Sequence, residues 1–407
     1  MKIVHISTNY RGGAGIAAFR LHNALLNKGI DSTFVSLGDE SLTDIKGNKT
    51  ILISLKNIFL EKIFHRFKKE TGLDNRFSLE LKKINPQLTY TTVSLPISRY
   101  KLHKIKEIQE ADIINLHGIA HILNYKSFFK KIQKPIVWTL HDINPIAGIF
   151  HLRTDESFNF VVSAELNNQI IEYKKKCYSN ISKIAIVSPS QWLYEESIKR
   201  KVFKIKENYV IPNMLPDYYF KDIDTFDLKN QYKVTSDKVN ILFVIGDVHD
   251  KNKGFDVLIE AFNYFKKEDI RLLIVGNGCI DKFEDFEKIM FGHINNEKMM
   301  IDIYNLADLL VIPSMDENLP NVLIEALSTG TPVVSFKIGG MVEYLEPGIN
   351  GELADDLNSE ALSKALKKAI QNLNQYSKNS IKEQAIMSFS ENENVVKYIS
   401  VYNSFKN

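Results

Sequence analysis

The chain has 407 residues, of which 44% are hydrophobic and 25% charged. This is the composition of an ordinary globular protein of two or three domains, and it excludes a disordered chain, a collagen-like repeat and a small disulfide-bonded scaffold. The formal net charge of +3 is too small for a wholesale nucleic-acid binder, so we expect no nucleic acid as a partner.

The cysteines and the amino terminus indicate the compartment. Cys177 and Cys279 have neither metal-ligand nor CxxC spacing, which favours a reducing cytoplasm. The opening MKIVHISTNY lacks the features of a signal peptide, and every apolar run is far shorter than the roughly 18 residues that span a bilayer. We therefore expect a cytoplasmic protein, with any membrane contact peripheral and on the inner face.

Charge is unevenly distributed along the chain. Residues 1–212 hold 32 Lys and Arg against 19 Asp and Glu, a net of +13, whereas residues 213–407 hold 20 against 30, a net of −10. Opposite signs predict two domains that meet different partners. Drift in surface composition is the alternative.

Short apolar runs alternate with amphipathic stretches of helical length in both halves, which predicts two doubly wound α/β domains with parallel sheets. The strands expected in the first half are Lys2–Ser7, Ser32–Ser36, Ile113–Leu116, Ile136–Leu140 and Ile184–Ser188. Those expected in the second half are Asn240–Ile245, Arg271–Val275, Leu309–Ile312 and Pro332–Ser335. The helices expected are Ile16–Lys28, Gln191–Lys199, Gly254–Lys266 and Glu360–Asn372.

A proline-flanked stretch, IPNMLP at 211–216, predicts the boundary between the domains. We expect an amino-terminal domain at 1–212, a carboxyl-terminal domain at 213–388 and a terminal helix at 389–407.

A glycine-rich turn follows the first predicted strand. In Arg11-Gly-Gly-Ala-Gly-Ile-Ala-Ala18 the glycines let backbone N–H groups approach an anion at the start of a helix. Gly13, Gly15 and Ala18 also fit the dinucleotide fingerprint. Because residues 9–11 lengthen the turn, we favour an anion or substrate loop over a nicotinamide site. A glycine turn without a ligand is the alternative.

A second motif, VIPSMDENLPNVLIEALSTGTPVV, occupies residues 311–334. Pro320 stands where a helix begins, and Glu325 lies about 7 Å further along the axis at 1.5 Å per residue. The helix start can bind a diphosphate while Glu325 accepts hydrogen bonds from ribose hydroxyls. Glu317 follows the predicted strand, at the edge where open α/β sheets bind ligands.

The spacing Glu317-x7-Glu325, followed by GTPVV at 330–334 and Gly339-Gly340-x-x-Glu343, resembles the donor-site signature of glycosyltransferase family 4. The motifs GGAGIA (12–17), TLH (139–141), KGF (253–255), VGNG (275–278) and GxNG (348–351) extend the resemblance over most of the chain, to the GGAGIA-type enzymes of polysaccharide biosynthesis. It implies the GT-B fold, two Rossmann-like domains facing across a deep cleft. It also implies an NDP-sugar donor and transfer with retention. We expect no metal or other cofactor in the reaction.

The resemblance implies three catalytic residues, Glu317, His141 and Lys253. Glu317 contacts hydroxyls of the transferred sugar, His141 reaches the donor from the first domain, and Lys253 neutralises the diphosphate, whose charge grows as it leaves. Glu325 binds the donor ribose and Gly13 lies against the diphosphate. Further donor contacts are expected at Gly246, Gly276, Ile294, Asn318 and Leu319.

On the acceptor side we place Arg11 and His117, and a structural histidine bonded to the backbone is an equally good interpretation of His117. Two features depart from the family pattern. Asp247 stands where the family usually has arginine, which leaves Lys251 as a partial substitute, and the cysteine cluster that often follows TLHD is absent. Asp222-Ile-Asp224 resembles a DxD metal site but lies in a polar connection, so we expect no metal there.

Residues 59–69 predict a basic amphipathic helix, with Phe59, Leu60, Ile63, Phe64 and Phe67 on one arc. Such a helix either lies on an anionic membrane surface or packs on its own domain with a solvated basic face. The positive charge of the first half favours the membrane.

The sequence thus predicts a retaining glycosyltransferase of the hexosyltransferase type. It moves a sugar from an NDP-sugar to a hydroxyl of a glycan or polyprenyl-diphosphate-linked acceptor in cell-surface polysaccharide synthesis. No enzyme nucleophile is evident, so we expect front-face attack, with the leaving phosphate taking the proton and catalysis coming from positioning. A nucleotide-sugar epimerase of the same fold and a non-catalytic protein that binds a sugar or lipid head group are the alternatives. A nicotinamide dehydrogenase ranks third.

Overall fold

The computed structural model describes residues 1–38, 50–54, 73–89, 92–203, 207–235, 237–246, 248–276 and 283–406. The predictions for Asp247, for the helix at 59–69 and for the last two residues of VGNG fall outside these ranges. Within the described part of the chain, every helix is too short or too polar to cross a bilayer.

The chain divides into two compact units. Unit 1 comprises Met1–Met214 and Asn394–Asn407, and unit 2 comprises Leu215–Glu393. The chain leaves unit 1 within the IPNMLP stretch. The last helix, Glu391–Asn403, starts in unit 2 and ends in unit 1.

Unit 1 is built on a parallel sheet of seven described strands in the order β3-β2-β1-β4-β5-β6-β7. The strands are β1 (Lys2–Ile6), β2 (Asp31–Gly38), β3 (Thr50–Ser54), β4 (Ile113–Leu116), β5 (Ile136–Thr139), β6 (Ile184–Ser188) and β7 (Asn208–Val210). The helices are α1 (Gly13–Asn27), α2 (Leu73–Ile84), α3 (Lys106–Glu110), α4 (Tyr125–Lys131), α5 (Arg153–Phe158), α6 (Phe160–Tyr178) and α7 (Gln191–Arg200).

Both faces of this sheet are covered, which explains the continuous apolar strands. Alternate residues enter two separate cores. Val4 and Trp138 face one core. Ile3 and Val137 face the other, together with Leu25 of α1 and four residues of the last helix, Val395, Tyr398, Val401 and Tyr402.

Lys174 of α6 is fully buried and holds the loop that follows β5. Its ammonium donates to the main-chain oxygens of Asn144, Ala147 and Gly148, at 2.5, 3.1 and 2.7 Å. Buried carbonyls need donors, and an ammonium supplies three. The loop is therefore organised by an interior cation.

Unit 2 is built on a parallel sheet of six described strands in the order β10-β9-β8-β11-β12-β13. The strands are β8 (Val239–Val244), β9 (Ile270–Val275), β10 (Glu287–Gly292), β11 (Leu309–Ile312), β12 (Val333–Phe336) and β13 (Gly351–Ala354). The helices are α8 (Phe226–Tyr232), α9 (Phe255–Phe262), α10 (Glu297–Leu306), α11 (Asn321–Ser328), α12 (Met341–Tyr344), α13 (Ser359–Gln371), α14 (Lys378–Phe389) and α15, the last helix (Glu391–Asn403).

The predicted fold class is confirmed, because both units are parallel α/β sheets. Most predicted strands agree with the structure to within one residue at each end, whereas the strand predicted at Ser32–Ser36 continues to Gly38. The helix predicted at Gly254–Lys266 is shorter and ends at Phe262. The helix predicted at Ile16–Lys28 begins earlier, at Gly13. Strand order reverses between β1 and β4 in unit 1 and between β8 and β11 in unit 2. These two switch points are where such sheets bind ligands.

Candidate donor-binding site in unit 2

The loops after β8 and β11 meet at the switch point of unit 2. Lys253 ends a short 3-10 turn that begins at Lys251, and the Asp250 carboxylate accepts from the Asn252 N–H at 3.0 Å. The Met315 N–H then donates to the Asn252 carbonyl at 2.7 Å. This backbone bond fixes the Lys253 loop against the loop that carries Glu317.

Gly254, the glycine of the KGF motif, permits this close approach. Its φ is +65°, and an added Cβ would lie 1.8 Å from the Pro313 carbonyl oxygen. Any side chain here would separate the two loops. The motif therefore encodes the position of Lys253, in addition to its charge.

Lys253 and Glu317 form an ion pair between their side chains. The Ser314 hydroxyl also donates to Glu317 Oε1, at 3.3 Å. The Lys253 side chain is 44% exposed and the Glu317 side chain 16%, so the cation is the more accessible partner. The charge of Glu317 raises the pKa of Lys253, and Lys253 is an ammonium at neutral pH. A cation and a carboxylate thus lie side by side at the edge of the sheet.

The double glycine at 339–340 holds the backbone that follows Glu317. Gly339 has φ +49°, and an added Cβ would lie 1.7 Å from the Glu317 carbonyl oxygen. The Gly340 N–H donates to the Asn318 carbonyl at 2.7 Å. Asn318 and Leu319 are buried. The glycine pair 339–340 therefore fixes the backbone conformation of the loop that carries Glu317.

Glu325 lies on α11 and is only 7% exposed. The hydroxyl of Tyr304, a fully buried residue of α10, donates to Glu325 Oε2 at 2.9 Å. Pro320 precedes the helix, and its first turn contains no acidic residue, which leaves the helix N-terminus compatible with an anion. Tyr304 and Ser314 were not predicted from the sequence, because their roles depend on tertiary contacts.

Three further predicted donor residues lie around the same strand ends. Gly246 follows β8, is exposed, and has open space where a Cβ would project. Gly276 directly follows β9 and donates its N–H to the Gly292 carbonyl at 2.8 Å. Ile294 is half-buried beyond β10 and packs on the core of unit 2. The structure thus brings Lys253, Glu317 and the 318–319 backbone together. Gly246, Gly276 and Ile294 place no polar side chain at the site.

In unit 1, Gly13 is the exposed first residue of α1, and the Asn9 side chain accepts from the Gly12 N–H at 2.9 Å. Arg11 is exposed, with its guanidinium carbon 5.3 Å from the centre of the Tyr10 ring. The predicted anion-binding loop of unit 1 therefore combines an exposed helix N-terminus with a neighbouring cation, Arg11.

His117 does not occupy the acceptor-side position predicted for it. It is 2% exposed, and its two ring nitrogens are hydrogen-bonded to His5 and His141 at 3.0 and 3.1 Å. Such a residue cannot contact an acceptor directly. His141 is partly exposed, and burial lowers its pKa to about 4, so it is neutral at pH 7.

The Asp222-Ile-Asp224 stretch has structural partners. Asp222 pairs with the Lys382 ammonium at 2.5 Å, which lowers the pKa of Asp222. Asp224 accepts from the Phe226 N–H at 2.9 Å. Among the described residues no cluster of three or more His, Cys, Asp or Glu has the arrangement of a metal site.

The chain is similar to known glycosyltransferases. Residues 239–372 match the family described as glycosyl transferases group 1. The chain is 23% identical over 317 residues to an uncharacterized 41.2 kDa protein in the cps region of Klebsiella pneumoniae, covering 74% of this chain and 81% of that protein. It is 26% identical over 303 residues to the lipopolysaccharide 1,2-N-acetylglucosaminetransferase of Salmonella typhimurium, covering 64% and 75%.

Among solved structures, Anabaena Alr3699/HepE in complex with UDP and glucose has a TM-score of 0.69 to this chain at 15% identity, covering 99% of this chain and all of the other. This likeness concerns the fold, and the sequence matches concern the family. The chain is a glycosyltransferase with the GT-B fold, and residues 239–372 of its second unit are similar to the group 1 family.

Proposed function

We propose that the chain is a retaining glycosyltransferase of family 4 and of the GGAGIA type. It moves a sugar from an NDP-sugar to a hydroxyl of a glycan or polyprenyl-diphosphate-linked acceptor in cell-surface polysaccharide synthesis. The observation that carries the proposal is the Lys253–Glu317 pair at the switch point of unit 2. A cation and a carboxylate side by side match a diphosphate beside a sugar.

Each group has a role that its chemistry allows. The Lys253 ammonium binds the diphosphate and stabilises the charge that grows on it as the sugar leaves. The Glu317 carboxylate, which can only accept hydrogen bonds, binds hydroxyls of the transferred sugar. The N-terminus of α11 adds backbone N–H groups for the phosphates. Glu325, oriented by Tyr304, accepts from the ribose. The acceptor hydroxyl attacks from the front face, and no metal takes part.

The relatives support the substrate class. The Salmonella relative is named as a lipopolysaccharide glycosyltransferase, and the Anabaena structure contains UDP and glucose. A nucleotide-sugar donor and a glycan acceptor therefore fit this chain. We also propose a cytoplasmic location with peripheral binding to the inner face of the membrane, which the excess of 32 basic over 19 acidic residues in 1–212 favours. Sedimentation with anionic and neutral vesicles tests this: equal binding to both contradicts it.

The first experiment measures thermal stabilisation by UDP-, GDP-, ADP- and TDP-sugars, because a bound ligand raises apparent stability by mass action. One nucleotide class should stabilise the protein. Lys253→Ala should lower the affinity for that nucleotide by about 10- to 100-fold, which corresponds to the loss of a hydrogen bond to a charged group. The matched control is Lys364→Ala, an exposed lysine of α13 that pairs with Glu360. Equal effects of the two variants contradict the role of Lys253.

The second experiment incubates the protein with the effective donor, alone and with a lipid-linked acceptor. Transfer that requires the acceptor and retains the anomeric configuration is the expected result. A changed sugar on the nucleotide, formed without any acceptor, would instead identify an epimerase. Binding without transfer or hydrolysis would favour the non-catalytic alternative.

A further inference from the structure

Five exposed lysines of unit 1 form a surface of one charge, here called the lysine patch. Lys101 precedes the 3-10 turn Leu102–Lys104, and Lys104 ends it. The other three, Lys126, Lys130 and Lys131, lie on α4. Lys126 and Lys130 are one turn apart and so share a face of the helix. Among the described residues, none of the five lysines pairs with an aspartate or a glutamate.

His103 joins the two parts of the patch. The Lys131 ammonium donates to His103 Nε2 at 3.1 Å, and His103 itself is only 7% exposed. Burial lowers the pKa of His103, and the charges of Lys131, Lys104 and Lys101 lower it further. Three lysines from two elements thus act on one neutral ring, which shows that they form a cluster.

The chain around the patch contributes few negative charges. Residues 92–141 hold eight Lys and Arg against three Asp and Glu. Two of these acids, Glu110 and Asp112, already pair with other basic groups. Residues 113–141 contain four lysines and neither aspartate nor glutamate. The positive charge of the patch is therefore not cancelled by its own segment.

Helix stability explains only part of the patch. Lys130 and Lys131 lie in the last turn of α4, where cations interact favourably with the helix dipole. Lys101 and Lys104 lie outside this helix and gain nothing from its dipole. Because like charges repel, the cluster is unfavourable for the protein alone. A negatively charged partner offsets this repulsion.

Buried residues anchor the patch from below. Leu102, Phe128 and Phe129 belong to the core of unit 1. The Asn124 side chain accepts from the Ser127 N–H at 3.0 Å and caps α4. None of the large apolar side chains that the described part of the chain exposes lies between residues 92 and 134. The patch can therefore attract a partner by charge, and it has no exposed apolar group to insert into one.

The patch lies away from the edge at which the sheet of unit 1 binds ligands. β4 and β5 are parallel neighbours, and α4 connects the carboxyl end of the first to the amino end of the second. The last turn of α4, with Lys130 and Lys131, therefore approaches the amino ends of the strands. Ligands of such sheets bind at the carboxyl ends. The patch is therefore separate from the candidate substrate sites.

An anionic lipid surface fits these features better than a nucleic acid. All five charges are ammonium groups, which attract phosphates as point charges, whereas guanidinium groups supply the planar fork of directed contacts. Single strands are bound by stacking their bases on aromatic rings, and the rings of this region, Tyr125, Phe128 and Phe129, are buried. A lipid surface needs neither feature, because a cluster of about four to eight basic groups attracts it by charge.

We propose that the lysine patch docks unit 1 on an anionic membrane surface by charge alone. The proposal rests on the peripheral location proposed above and assigns that location to five described lysines. It predicts binding that salt abolishes. The amphipathic helix predicted at 59–69 would instead bind through apolar residues, whose contribution salt does not screen.

The test is sedimentation of the full chain with phosphatidylcholine vesicles, with and without phosphatidylglycerol. The unmodified protein should sediment only with the anionic vesicles at about 0.1 M salt. Raising the salt to about 1 M shortens the Debye length from about 10 Å to about 3 Å and should release the protein. The patch variant, Lys101→Gln/Lys104→Gln/Lys130→Gln, should bind the anionic vesicles about 100-fold more weakly, at about fivefold for each lysine.

The matched control replaces three exposed lysines of unit 2 by glutamine, namely Lys221, Lys229 and Lys266. It changes the net charge by the same amount and should leave vesicle binding nearly unchanged. Equal losses in the two triple variants would overturn the proposal, because net charge alone would then explain the binding. Binding that persists at the higher salt would also overturn it. Thermal unfolding of both variants verifies that they are folded.

The remaining outcomes separate this inference from the other proposals. If the unmodified protein bound no anionic vesicle, the peripheral location and the patch would both fail, while stabilisation by a nucleotide sugar would still test the transferase. If the patch variant lost binding to a single-stranded oligonucleotide but kept its vesicle binding, the patch would be a nucleic-acid surface instead. The patch variant should keep the nucleotide-sugar stabilisation of the unmodified protein, because its lysines lie away from the ligand edge.

Discussion

The buried Lys174 offers a stringent test of how unit 1 is held together. Lys174→Met keeps the length of the side chain and removes the ammonium that donates to three carbonyl oxygens in the loop at 144–148. Each unsatisfied buried acceptor costs about 1–3 kcal/mol. Methionine carries no charge that must be buried, which offsets part of this cost. We therefore expect the free energy of unfolding to fall by about 3–5 kcal/mol, as when one partner of a buried pair is removed.

The assay is chemical or thermal unfolding at about pH 6, because burial lowers the pKa of Lys174 to about 7 and the side chain is then an ammonium. For a unit of this size the loss corresponds to roughly 10 °C in Tm. Lys175→Met is the matched control, since Lys175 is the next residue of the same helix and forms an exposed pair with Glu172, which is worth at most about 1 kcal/mol. Equal stability of the two variants would refute the reasoning.

Three further predictions concern the site and the histidines. Glu325→Ala should raise the donor KM by about 10- to 100-fold through lost hydrogen bonds to a carboxylate, whereas Glu317→Ala should chiefly lower kcat; steady-state kinetics with both near wild type would remove the assignment. Gly339→Ala should destabilise unit 2 by at least about 1–3 kcal/mol, because its Cβ would meet the Glu317 carbonyl, whereas Gly246→Ala, with open space, should leave the free energy of unfolding unchanged; equal unfolding curves contradict this. Burial lowers the pKa of His22 from 6.5 to about 4, so the unfolded chain binds more protons than the folded chain between these pH values. The free energy of unfolding therefore falls as the pH drops through that window, by roughly 3 kcal/mol for this group. In His22→Phe the free energy of unfolding should fall less steeply with decreasing pH, and an unchanged pH dependence would count against a buried neutral imidazole.

The central strands were predictable because both of their faces are buried, so each is a short apolar run. The four edge strands, β3, β7, β10 and β13, were missed. Partial exposure removes the signal from β3, β7 and β10. The 19-residue helix α6 was also missed. Its inner face carries Asn167 and Lys174, and buried polar residues disguise an amphipathic pattern.

The chemistry of the site was predictable to the extent that motifs are local. KGF and the GG pair indicated where Lys253 and Glu317 would lie, and the structure adds that their glycines permit close backbone contacts. Tyr304 could not be foreseen, because its link to Glu325 joins two helices. The same limit applied to His117, where the sequence showed only a histidine after a strand. Its burial follows from the adjacency of β1, β4 and β5.

The path of α15 has a consequence for biosynthesis. Residues 394–407 are translated after unit 2, yet Tyr398 and Tyr402 complete a core of unit 1, which is translated before unit 2. Until these residues leave the ribosome, the apolar surface around Ile3 and Val137 lacks the part of its cover that α15 supplies. A nascent chain must carry that surface through the synthesis of all of unit 2. A stop codon shortly before Asn394 would therefore damage the amino-terminal half of the protein more than the half that it shortens.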